Sequence, residues 1–135
     1  MRITQEADYA VRIIDCLAAS GARMDARSVS EKTGVTLRFT LKIFRKLGQA
    51  GIVRSFKGVQ GGYELVRSPK EINLRQVIEA VDGPININRC MTGSLPCALL
   101  EDTRLCYYHN VFNELSKTIQ DKLEGVTFRD EDRHT

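Results

Sequence analysis

A chain of 135 residues, 42% hydrophobic and 27% charged, is long enough to bury one core without disulfide staples and has an ordinary globular composition. It contains no run of 18 apolar residues and no signal-like segment, which sets the expectation of a cytoplasmic chain with no membrane partner. The net charge of +3 says little by itself, but its placement is uneven. Lys32, Arg38, Lys42, Arg45, Lys46, Arg54 and Lys57 fall between positions 32 and 63 with no Asp or Glu among them, while the remainder holds thirteen basic and seventeen acidic residues. A single-sign block inside a folded segment creates a local positive field, suited to a polyanion.

The first predicted helix runs from Gln5 to about Ala19, capped by Thr4, with Glu6 in its first turn. Ala10, Ile13, Ile14 and Leu17 recur at helical spacing and mark its core face. Cys16 lies in the same helix and reads as a small apolar residue. Gly21 ends that helix, Asp25 caps a short second one, and Gly34 stops it near Thr33. Thr36 caps a third helix, Leu37 to Gln49. In it Leu37, Leu41, Phe44 and Leu47 are expected to face inward, and Arg38, Lys42, Arg45 and Gln49 another way.

Helix, short glycine-containing turn, basic helix is the sequence form of a helix-turn-helix. The N-terminal residues of such a reading helix approach base edges, while its cations meet phosphates. The two β-prone runs Ile52–Phe56 and Tyr63–Val66 flank Lys57, Gly58, Val59, Gln60, Gly61 and Gly62, a hairpin with a glycine-rich tip. Placed directly after a helix-turn-helix, this hairpin is a wing. Its glycines precede a strand and lack a lysine-serine ending, unlike a phosphate-binding nucleotide loop. The expected DNA contacts are Thr36, Arg38, Phe39, Lys42 and Arg45 on the helix, with Lys57 and Gln60 on the wing.

Pro69 breaks the second strand. Asn73 and Gln76 have capping-box spacing for a helix from Leu74 to about Val81, closed by Asp82, Gly83 and Pro84. Residues 85–102 show no sustained period, and a loop of that length usually serves a function. A last helix starts near Asp102 or Thr103. Leu105, Tyr108, Val111, Phe112, Leu115, Ile119 and Leu123 form its apolar stripe. A helix of about 20 residues spans roughly 30 Å, longer than a small domain covers alone, so two-fold dimerisation along it is expected, alongside or in place of packing onto the first helix. The expected fold class is mostly α with a small β-wing. A winged helix-turn-helix domain at 1–84 leads to a cysteine-bearing loop at 85–102, a dimerisation helix at 103–128 and a disordered tail at 129–135.

Several stretches carry a family resemblance over nearly the whole chain. They are Met1-Arg2-Ile3-Thr4, Tyr9-Ala10-Val11-Arg12, Ser30-Glu31-Lys32-Thr33-Gly34-Val35, Leu47-Gly48-Gln49-Ala50-Gly51-Ile52-Val53, Gly61-Gly62-Tyr63 and Val77-Ile78-Glu79-Ala80-Val81-Asp82-Gly83-Pro84. In these the chain resembles the IscR/NsrR family of bacterial winged-helix regulators. The resemblance implies a homodimer on a near-palindromic operator in double-stranded DNA, with the C-terminal helix crossing to the partner. It also implies an iron–sulfur cluster on three cysteines. Two positions depart from the pattern: Leu41 stands where the iron–sulfur assembly regulator has a glutamate that helps choose its operator, and no proline follows Gly58 in the wing.

Cys90, Cys97 and Cys106 are spaced C-x6-C-x8-C, followed after two residues by His109. Thiolates are the usual ligands of iron–sulfur clusters, and histidine replaces some of them. By resemblance, the fourth ligand is His109, as for a 2Fe–2S cluster, or Asp8 of the partner subunit, as for a 4Fe–4S cluster. Three cysteines and a histidine also suit structural zinc, although these spacings exceed those of most zinc loops. The expected function is a transcription regulator, read as a repressor, that senses redox state, iron or nitric oxide. A metal-free thiol switch or a zinc-stabilised regulator is the alternative. An enzyme is not expected: His109 and His134 are the only histidines, and no nucleophile–base set accompanies them.

Overall fold

The computed structural model describes residues 2–87 and 107–129. Its elements are α1 (Gln5–Ser20), α2 (Ala26–Thr33), α3 (Leu37–Gln49), β1 (Val53–Phe56), β2 (Gly62–Leu65), a 3-10 turn at Pro69–Glu71, α4 (Leu74–Asp82) and α5 (Tyr107–Glu124). The fold is mostly helical with one two-stranded antiparallel sheet, as expected.

Local chemistry sets the helix ends. Thr4 accepts from the Ala7 amide, Asp25 from Ser28 and Thr36 from Phe39, each satisfying a donor that the first turn leaves orphaned. Asn73 and Gln76 form a complete capping box at the start of α4. Gly21 and Gly34 close α1 and α2 in the left-handed region, at φ 65° and 76°.

Ala7, Ala10, Ile13, Ile14 and Leu17 of α1 are buried against Ile43, Phe44 and Leu47 of α3 and Val77, Ile78 and Val81 of α4. Each fully buried large side chain contributes about 1.5–3 kcal/mol. The inward face of α3 corrects one expectation. Leu41 is 45% exposed, while Thr40, Ile43, Phe44 and Leu47 are buried. At about 100° per residue, those four share one stripe and Leu41 is rotated out of it. Thr40 occupies the core because its hydroxyl donates to the Val35 carbonyl at 3.5 Å.

The hairpin pairs Val53 with Leu65, Arg54 with Glu64, Ser55 with Tyr63 and Phe56 with Gly62. Ile52, expected to begin β1, instead lies just before it, buried, and its carbonyl accepts from the Val66 amide. Met24, between α1 and α2, exchanges both backbone hydrogen bonds with Tyr63, at 3.0 and 2.7 Å. Gly62 allows this approach: at φ 142°, a Cβ would stand 2.6 Å from the Met24 oxygen.

The helix α5 ends at Glu124, and the chain then folds back. Thr127 bridges Asn73, the Leu74 amide donates to Val126, and Phe128 enters the core at 4% exposure. Ile85 and Ile87 are tied to α5 through Gln120 and Ser116. Along the expected stripe of α5, Val111, Phe112, Ile119 and Leu123 are half-buried, but Tyr108 and Leu115 are exposed, so the described residues cover only part of it. Cys90, Cys97, Cys106, most of the expected loop, the expected start of the last helix and the tail beyond Arg129 lie outside the described residues.

Candidate nucleic-acid interface

The capped turn at Val35–Thr36 turns α3 away from α2, and the buried stripe of α3 fixes which side meets solvent. Arg38, Phe39, Leu41, Lys42 and Arg45 line one surface concavity of about 710 Å³. A second groove, about 560 Å³, runs from Leu41, Arg45 and Gln49 to Arg54 and Ser55 of β1. The helix and the base of the wing thus form a continuous surface. Thr36 is exposed at the N-cap, where its hydroxyl is committed to the Phe39 amide at 3.3 Å. Phe39 is 40% exposed and meets Tyr9 edge-on at 5.9 Å. Lys57 and Gln60 are exposed in the wing turn and line neither of these grooves.

The electrostatics differ from the expected uninterrupted positive block, because anions arrive from other segments. Glu6 of α1 accepts a hydrogen bond from Lys46 through Oε2 at 2.9 Å. Its buried Oε1 faces Lys42 Nζ at 3.4 Å, an ion pair that lacks hydrogen-bond geometry. The Lys46 hydrogen bond holds the Glu6 carboxyl below the usual carboxylate range, against the opposing effect of burial and with help from Lys42. Lys46 also donates to the Val81 carbonyl, so it serves the α1–α3–α4 junction rather than the surface. Glu64 pairs with Arg54 at 2.9 Å. Of the seven-cation block, Lys32, Arg38, Arg45 and Lys57 make no ion pair among the described residues, and of these Arg38 and Arg45 line the α3 grooves.

Arg23 was not among the expected site residues. Its guanidinium lies 3.4 Å from the Phe56 ring centroid, donates to the Gln60 carbonyl at 3.1 Å and reaches Glu64 at 3.8 Å. One side chain between α1 and α2 therefore grips both strands and the turn of the wing. These contacts span 33 to 41 positions, and no local sequence signal announces them.

Of the candidate cluster ligands, two are described. His109 lies in the first described turn of α5, three positions after Cys106. Asp8 pairs with Arg12 at 3.0 Å on the exposed side of α1. Cys16 is half-buried 3.9 Å from the Met24 sulfur, and burial pushes its thiol up, in keeping with a small packing residue.

A helix-turn-helix with exposed arginines on its second helix, followed by a hairpin wing, defines a winged-helix DNA-binding transcription regulator. Residues 3–130 match the Rrf2 family model, described as iron-dependent transcriptional regulator. The chain belongs to the Rrf2 family. It is 33% identical to the HTH-type transcriptional regulator IscR of Aliivibrio salmonicida, over 94% of this chain and 74% of that one. A putative HTH-type regulator, ORF2, of Azotobacter vinelandii is also 33% identical, over 96% of this chain and 78% of that one. The fold is shared with T. potens IscR at TM-score 0.71 and 23% identity, over 96% of this chain and 85% of that one. It is also shared with CymR, the global cysteine regulator of B. subtilis, at TM-score 0.79 and 20% identity, over 100% of this chain and 98% of that one. These relatives are regulators, and the chain is a DNA-binding regulator and not an enzyme. No helix among the described residues is long and apolar enough to cross a membrane.

Proposed function

We propose that this chain is a repressor whose hold on DNA depends on an iron–sulfur cluster held by Cys90, Cys97 and Cys106. Two copies would meet along the half-covered stripe of α5 and present paired α3 helices to a near-palindromic operator. In each copy Arg38 and Arg45, with Thr36, Phe39 and Lys42, would occupy the major groove, while Lys57 and Gln60 reach the flanking backbone or minor groove. The observation that carries the DNA half of the reading is the exposed Arg38 and Arg45 on the solvent face of α3, which make no ion pair among the described residues.

The donor set supports the cluster half. Three thiolates with a histidine match the ligand chemistry of iron–sulfur centres, and the family resemblance offers a carboxylate as the other fourth ligand. His109 on α5 would complete the set within one copy. Asp8 would do so from the partner, after release from the half-exposed Arg12, a contact that costs little to break. When bound, the cluster supplies an oxidation-sensitive and nitric-oxide-sensitive centre. Cys90, Cys97 and Cys106 would hold it next to α5, a helix tied to α4 through Arg75 and Glu124, so that its loss would be felt at that junction.

A second reading, a metal-free thiol switch on the same cysteines, draws support from a Staphylococcus aureus CymR structure solved in an oxidized form. Purification without oxygen, followed by iron, sulfide and zinc counts, separates the readings. Iron and sulfide in equal number, lost in Cys97→Ser, support the cluster. A zinc-loaded or metal-free wild type overturns it.

A further inference from the structure

The exposed face of α3 is not simply basic. Leu41 lies three positions after Arg38 and four before Arg45, so the leucine shares a helical face with two arginines. It is 45% exposed, lines both grooves of the interface, and opens beside Phe39, itself 40% exposed. Two large apolar side chains at one concavity of the proposed reading face would gain from an apolar partner there. In the major groove that partner is the thymine 5-methyl group, the apolar feature that base-pair edges display there.

From this juxtaposition we infer that Leu41 reads a thymine methyl within each half-site, between base pairs contacted by Arg38 and Arg45. The inference rests on α3 being the reading helix. Arginine pairs bidentately with guanine O6 and N7, and Arg38 and Arg45 make no ion pair among the described residues that would compete. Seven residues of helix rise about 10 Å, roughly three base steps, so the two arginines and the leucine fit within one short word. The half-site therefore contains a thymine recognised by its methyl group, flanked by guanines that Arg38 and Arg45 pair with. Phe39 is the weaker candidate, since its ring already rests on Tyr9.

Uracil differs from thymine only by that methyl group, which makes the test clean. Duplexes selected from randomised DNA by the full-length wild-type protein are resynthesised with each thymine replaced in turn by uracil. At one thymine per half-site, the replacement should weaken wild-type binding about fourfold, as expected for one buried methyl group. Leu41→Ala should bind the thymine duplex more weakly and be indifferent to uracil at that position. A flat uracil scan, or an equal uracil penalty in Leu41→Ala, overturns the inference. Arg38→Ala, measured on the same duplexes, separates the two layers. If it loses binding while the uracil scan is flat, only the leucine assignment falls. If it too binds as wild type, the reading-helix assignment falls with it.

Discussion

Phe44 and Tyr63 stack ring on ring, with centroids 3.9 Å apart and planes 2° from parallel. Phe44 is the buried anchor of α3 and Tyr63 belongs to the second wing strand, so this contact fixes the angle between the helix and the wing. An aromatic pair contributes about 0.5–1.5 kcal/mol beyond the area it buries. Tyr63→Leu should lower stability by about 1–2 kcal/mol in urea unfolding. It should also weaken operator binding through lost alignment, although Tyr63 itself need not touch DNA. Unchanged unfolding midpoints would remove this role.

Glu6 restrains the two lysines that face it, one of which, Lys42, lines the surface concavity of α3. Glu6→Gln keeps the shape and removes the charge, so it should cost about 1–2 kcal/mol of stability through the weakened Lys46 contact. DNA binding should move the other way in one respect. Lys42 would be released toward phosphate, and the slope of log affinity against log salt should steepen by about 0.9 for each added phosphate contact. An unaltered slope would mean that Lys42 already abandons Glu6 when DNA binds.

Arg23 holds the wing from behind. Its stacking on Phe56 is worth about 0.5–1 kcal/mol at a partly exposed site. Arg23→Met retains much of the packing and loses the cation, so the fold should persist with a small loss in melting temperature. Operator affinity should fall more than stability does, because the wing turn loses its tether at Gln60. Affinity equal to wild type would show that the turn is held well enough by its glycines.

Arg38→Ala should weaken binding to the selected operator far more than to random DNA, if its contact is to a base. Lys57→Ala should weaken both alike and reduce the salt slope by about one, as a phosphate contact does. Gel shifts across a salt series distinguish the two patterns. Identical losses on operator and random DNA for both variants would reduce α3 to a non-specific contact.

The helices were legible in the sequence because their signals are local. Thr36, placed one residue before a periodic segment, gave α3 the same limits, Leu37 to Gln49, that the structure has. Asn73 with Gln76 announced α4 in the same way. The inward face of α3 departs from its apolar spacing at one position: Leu41 fits the pattern but is exposed, and the geometry buries Thr40 and Ile43. A threonine whose hydroxyl is satisfied by Val35 enters a core without any apolar signature. Contacts between distant segments had no signature either. Glu6 meets Lys46 across forty positions and Arg23 meets Gln60 across thirty-seven, so the neutralised lysines and the braced wing emerge only from the fold. The cysteine pattern was readable as ligand chemistry, but Cys90, Cys97 and Cys106 lie outside the described residues, and their role rests on spacing, donor type and family.

Conditional DNA binding is the central claim, and one titration tests it most directly. Protein purified without oxygen is bound to its selected operator while visible absorbance and iron content are followed, first intact and then after stepwise exposure to air or nitric oxide. Affinity should change at least tenfold in step with the loss of absorbance, and Cys97→Ser should behave as the depleted form from the start. Operator affinity that stays constant while the iron is lost would contradict the claim.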